Sequence, residues 1–193
     1  MYVQLEQDDQ TDPRILRTRE LLINGFAKLL DEHKSIRKVS VQSVTKQAGV
    51  NRVTFYAHFT DKYELLDVWA RLMYRQSVAR WLPANATFIR EHVTLLIDAT
   101  LDFFIMHNQY RRRVNEQFEP MFEAAIQQEL ESFLVSMLKS SPLRERSITT
   151  ENIASFLSWA IFGSALDWSR QPEGQAKEVM SGQLVSMIEV ITN

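Results

Sequence analysis

Within ten residues, VNRVTFYAHF at 50–59, the chain sets hydrogen-bonding side chains beside small apolar ones. Arg52 carries a five-donor guanidinium, Thr54 a hydroxyl, Tyr56 a phenol and His58 an imidazole, with Lys62 just beyond. This set suits recognition of phosphate oxygens and base edges. The apolar pattern of the stretch is ambiguous. Val53, Phe55, Ala57 and Phe59 alternate with Arg52, Thr54, Tyr56 and His58, the period of a half-buried strand. At 100° per residue, Phe55 and Phe59 share an inward face instead. Val53 and Ala57 then point outward with Thr54 beside them and Tyr56 and His58 flanking.

The rest of the chain decides between the two. A strand needs a partner for its backbone groups, and five glycines and five prolines in 193 residues leave few sites for hairpin turns. Helical spacing recurs instead. It groups Leu22, Phe26, Leu29 and Leu30; Ile89, Val93, Leu96, Thr100 and Phe103; Phe122, Ala125, Ile126, Leu130, Phe133 and Met137; Ile153, Phe156, Leu157, Ala160 and Ile161; and Leu184, Met187, Ile188 and Ile191. Breakers stand at Pro13, Leu82–Pro83–Ala84–Asn85, Ser141–Pro142 and Pro172–Glu173–Gly174. The fold is therefore predicted all-α, with three short helices to about residue 60 and larger helices after them. Ser40 reads as an N-cap, Val41, Val44 and Ala48 as an inward face, Gly49 as a tight turn and Val50 as the corner plug. Helix, glycine turn and second helix form a helix-turn-helix whose second helix fits the DNA major groove. There, Thr54 and Ala57 can meet a thymine methyl, and Arg52 can bind guanine bidentately.

Charge supports a polyanion partner for one part of the chain. Residues 1–12 carry −4, residues 13–62 carry +6 and residues 63–193 carry −4. A solvated basic surface is the competing reading. These shifts divide the chain into an acidic flexible tail (1–12), a helix-turn-helix DNA-binding domain (13–62) and a larger acidic helical domain (63–193). With no cysteine there is neither a disulfide framework nor a thiolate metal site. The first residues lack the apolar core of a signal peptide, and the apolar stretches fall short of the ~20 residues of a membrane span. A soluble, cytoplasmic protein without membrane contact is expected.

The segment VSVQSVTKQAGVNRVTFYAHFTDKYELL resembles the DNA-binding domain of the tetracycline-repressor (TetR) family of bacterial transcription regulators. The Ala-Gly-Val turn, the aromatic–Tyr–x–His–Phe run and Lys62 followed by Leu65 and Leu66 carry the likeness, over about residues 14–66. The resemblance implies that Arg52, Val53 and Thr54 face bases. It puts Tyr56, His58 and Lys62 on the phosphate backbone, with Gln42 and Ser43 contributing from the preceding helix. Arg52–Val53 departs from the small residue or glycine common there, so the base-reading surface is the chain's own. A purely structural role for Tyr56 and His58, capping a packed three-helix domain, is the competing reading. Arg14, Arg17 and Arg19 either reach the DNA or form a solvated face.

For the larger C-terminal part the resemblance implies an effector-binding bundle and a dimer built by the last two helices. The expected function is a repressor that binds palindromic double-stranded DNA as a homodimer. A small apolar or aromatic effector would release it. The alternative is a DNA-binding dimer governed by a protein partner or lacking a small effector. Phe103, Phe104, His107, Tyr110, Phe118, Met121, Phe122 and Trp159 are candidate pocket residues, and ordinary core is the other reading of each. Phe156, Ala160, Gly163, Leu184, Met187 and Ile188 are candidate interface residues. The 151–169 helix has apolar groups on two faces, with Phe156, Ala160 and Ile161 assigned to one and Trp159, Phe162 and Leu166 to the other. It either covers a second surface or is buried whole. No GxSxG, GxxxxGK, HExxH or GxGxxG motif occurs, and the four histidines lack metal-ligand spacing. No enzyme, cofactor or metal is expected.

Overall fold

A computed structural model describes residues 12–33, 35–113, 119–141, 148–171 and 175–192, with the backbone alone at 107–113, 119 and 192. Among them are eight α-helices: α1 Pro13–His33, α2 Val41–Ala48, α3 Arg52–Tyr56, α4 Lys62–Val78, α5 Arg90–Arg113, α6 Glu119–Lys139, α7 Thr150–Arg170 and α8 Lys177–Thr192. A 3-10 turn, Ile36–Lys38, lies between α1 and α2, and no strand occurs among the described residues. The acidic segment 1–11 lies outside them.

The chain divides into two compact units, 1–73 with 109–125, and 74–108 with 126–193. In the first, α1 begins on Pro13, where the missing amide proton costs nothing. It buries Leu22, Ile23, Phe26, Leu29 and Leu30. Gly25 faces α2, where a Cβ would make ordinary van der Waals contact, 3.4 Å from the backbone nitrogen of Ala48. Phe26 meets Trp69 edge-on at 6.0 Å, and Trp69 lies 6.2 Å from Phe122. The first helix thus has 21 residues and is not short.

The second unit has polar pairs within its apolar core and at the core's edge. The Tyr74 and Thr100 hydroxyls lie 2.7 Å apart, and burial raises the Tyr74 phenol far above its usual range. Gln127 Nε2 donates to Ser158 Oγ at 2.8 Å. Arg75 Nε donates to Glu129 Oε1 at 2.7 Å, and Lys177 Nζ to Asp102 Oδ1 at 2.8 Å. Each of these groups thereby finds a partner, which polar groups withdrawn from water require.

Helix α7 buries Ala154, Leu157, Ser158, Ile161, Phe162, Ala165 and Leu166, a continuous stripe at i+3 and i+4. Phe156 and Trp159 are 56% and 58% exposed. The two faces therefore group differently from the sequence assignment. Ile161 turns about 140° from Phe156 and joins the core with Phe162, while Phe156 and Trp159 both remain outside. No helix among the described residues is long and apolar enough to cross a membrane.

Candidate nucleic-acid interface

The helix-turn-helix is built from local signals. Ser40 Oγ accepts from the Ser43 amide at 3.0 Å, and the Ser40 amide donates to Ser43 Oγ at 2.9 Å, a reciprocal capping box. Gly49, at φ 70°, ends α2 in the left-handed region, and the Val50 amide returns to the Thr45 carbonyl at 3.0 Å. Asn51 then caps α3, its Oδ1 accepting from the Thr54 amide at 2.8 Å and from Thr54 Oγ1 at 3.1 Å. Helix α3 ends at Tyr56, after five residues, but the winding persists to Phe59. The Ala57 amide donates to the Val53 carbonyl at 3.1 Å and the Phe59 amide to the Phe55 carbonyl at 2.9 Å.

This geometry separates the two faces of the segment. Phe55 and Phe59 are 0% and 1% exposed and lie 5.9 Å apart by ring centroid. Val53, on the other side, is 80% exposed, Ala57 is exposed and Thr54 half-buried. Two phenylalanines thus anchor the segment and leave a small outward surface bearing one hydroxyl. Arg52 is exposed and its Nη2 donates to the Tyr56 hydroxyl at 3.4 Å, so the phenol's own proton is free for an outside acceptor. Gln42 is exposed on α2, whereas the Ser43 hydroxyl is engaged in the cap and donates to the Ser40 carbonyl at 2.8 Å.

Two cations of the basic block face the protein. Arg19 on α1 donates from Nη1 to the His58 carbonyl at 3.2 Å, with its guanidinium 4.6 Å from the centre of the Phe59 ring. Burial, and then the charge of Arg19, lower the His58 imidazole below its ordinary value. Lys62 donates to the carbonyls of Ile36 at 2.9 Å and Val39 at 2.8 Å. Its ammonium is also lowered by burial. Neither interaction has a signature in the sequence, because the acceptors are backbone oxygens that spacing does not reveal.

The other candidate residues fall in both units. Phe103 and Phe104 are buried in the second unit, where Phe104 meets Phe162 at 5.6 Å and Phe162 meets Trp159 at 6.0 Å. Phe122 is buried in the first unit and Met121 is 39% exposed there. Phe118 lies outside the described residues, as do the side chains of His107 and Tyr110. Leu184 and Ile188 are buried, Ala160 and Gly163 half-exposed and Met187 59% exposed.

An α-helix capped by serine, a left-handed glycine turn and a bare second helix together define a helix-turn-helix domain, a module that reads duplex DNA. The family described as "Bacterial regulatory proteins, tetR family" matches residues 27–68, and the chain is similar to that family over this domain. The HTH-type transcriptional regulator YxbF of Bacillus subtilis (strain 168) is 36% identical over 61 residues, which is 32% of this chain. The match spans only 16% of that relative's length. A tetR-family transcriptional regulator from Streptomyces coelicolor has the same fold at TM-score 0.58 and 17% identity, covering 90% of this chain and 81% of that one. A TetR transcriptional regulator from Streptococcus agalactiae 2603V aligns at TM-score 0.52 and 20% identity, covering 91% and 95%.

Proposed function

We propose that the chain is a transcription regulator, a repressor, that binds palindromic double-stranded DNA as a homodimer through the outward face of α3. The observation that carries this reading is the contrast between Phe55 and Phe59, sealed in the core, and Val53 at 80% exposure beside Ala57, Thr54 and Arg52. A large exposed valine flanked by hydrogen-bonding groups has no packing role in the single chain. A thymine methyl and a guanine edge match its surroundings. Tyr56, His58 and Gln42 lie at the margins, where phosphates pass. His58, whose imidazole burial and then Arg19 make harder to protonate in the free protein, offers a ring N–H there.

Dimerisation is supported by apolar side chains left exposed on the last two helices: Phe156 and Trp159 on α7, Met187, Val190 and Ile191 on α8. Two copies of α3 would then enter successive grooves about 34 Å apart. Release by an apolar or aromatic effector completes the proposal. By linkage, an effector that weakens DNA binding must itself be weakened by DNA to the same factor.

Titration of duplex DNA with the protein at several salt concentrations tests the reading. Binding that tightens as salt falls, with log K linear in log salt, is the expected result. A chain that retards no duplex at low salt refutes it.

A further inference from the structure

Resting on the homodimer reading, we infer that the ion pairs Lys177–Asp102 and Arg90–Glu189 set the rotation and register of α8 on α5. They thereby select which apolar face of α8 a second copy meets. Lys177 Nζ lies 2.8 Å from Asp102 Oδ1, with 23% and 24% of the two side chains exposed. Its ammonium also sits 5.4 Å from the centre of the Trp81 ring. Arg90 pairs with Glu189 at the other end, and all five residues belong to the second unit. Arg90 and Asp102 are twelve residues apart on α5, as are Lys177 and Glu189 on α8, and they pair in opposite order. The two helices therefore run antiparallel and in register over about 18 Å.

Helix α8 needs such a guide because it is apolar on two sides. Leu184, Val185 and Ile188 are buried, whereas Val179, Met187, Val190 and Ile191 are exposed. Burying either set removes a comparable apolar area from water, so hydrophobicity alone chooses the inner face weakly. The charges choose it. Lys177 opens α8 and Glu189 stands in its last turn, each at the end where the helix dipole disfavours its sign. Their placement is unfavourable for α8 alone and is explained by the partners on α5. Isolated ion pairs add little stability, and fixing register is their best-attested use. The face left outside, Val179, Gly182, Gln183, Ser186, Met187 and Val190, forms one stripe at i+3 and i+4 and carries no charge. Across a twofold axis a patch meets itself, and an uncharged stripe does so without repulsion.

Two experiments test this. In the first, Lys177→Asp, Asp102→Lys and the double swap are compared with wild type by sedimentation equilibrium. Each single variant sets like charges together and should weaken the dimer about tenfold. The swap should return it to within about threefold of wild type. Aspartate is favoured in the first turn of a helix, so a role confined to keeping α8 helical gives Lys177→Asp the opposite sign. Single variants that dimerise as wild type does, or a swap that fails to restore the dimer, overturn the inference.

In the second, hydroxyl radicals label the same proteins, and mass spectrometry follows Leu184 and Ile188, both buried in the single chain. These residues should stay protected in wild type and in the swap, and lose protection in each single variant as α8 turns. Protection that persists in the single variants contradicts the assignment. If Lys177→Asp does not fold, Arg90→Glu with Glu189→Arg, at side chains 62% and 36% exposed, takes its place with the same expected pattern. A wild type that stays monomeric at every concentration defeats the homodimer reading instead. The labelling of Leu184 and Ile188 then still reports whether the charges hold α8.

Discussion

His58 shows how one residue can belong to both the protein and its ligand. Its carbonyl accepts from Arg19, while its imidazole, partly buried and facing that guanidinium, is harder to protonate than a free histidine. The consequence for pH follows from which state binds the proton more readily. The unfolded imidazole does, so this group's contribution to stability is present above about pH 6.5 and declines as pH falls through that value and the lowered one. DNA phosphates act in the opposite direction, favouring the imidazolium, so duplex binding takes up protons at His58. An NMR titration of the His58 ring should give a midpoint below that of a free imidazole. It should rise in Arg19→Met, because the repelling charge is gone. A wild-type midpoint at or above the free value, unmoved by Arg19→Met, would dismiss this coupling.

At the scale of elements, the reading pair depends on two short stretches of chain. Gly49 sits at φ 70° with nothing within 4 Å of the position a Cβ would take. Gly49→Ala therefore meets conformational strain only, and should lower stability by about 1–2 kcal/mol in urea unfolding. Gly49→Asn should cost less, since asparagine tolerates the left-handed region better. Equal stability for wild type and Gly49→Ala would show that the turn relaxes freely.

These local features are the most legible in the sequence. Ser40, Gly49 and Asn51 act on backbone groups within three to five residues of themselves, so residue type and spacing suffice to find them. The inward Phe55 and Phe59 are equally readable once a strand is excluded for want of a partner. Helix α3 itself is shorter than its periodicity implies, since Phe55 and Phe59 need only one turn to align. The inward aim of Lys62 and Arg19 is invisible in the sequence, because a carbonyl 20 or more residues distant carries no side-chain signal. On α7, the spacing Phe156 to Ile161 suggests one face, although five residues turn the helix by about 500°, to the flank.

At the scale of the whole molecule, reading a palindrome requires a second copy of the chain. The exposed Phe156 and Trp159 of α7, with Met187 and Val190 of α8, are unusually apolar for surface that stays in water. Trp159→Glu, at a position 58% exposed in the single chain, should leave thermal unfolding of the isolated subunit nearly unchanged. It should shift sedimentation from dimer to monomer and weaken DNA binding, because one subunit presents a single α3. A variant that remains dimeric would place the interface elsewhere.

The central claim is that the bare side of α3 reads bases, and selection of bound duplexes from a random-sequence pool tests it most directly. Wild type should enrich a palindrome. Thr54→Ala should lose about 1–3 kcal/mol of preference at one symmetry-related pair of positions, with the remainder of the site kept. A pool that stays random, or a Thr54→Ala profile identical to that of wild type, would contradict it.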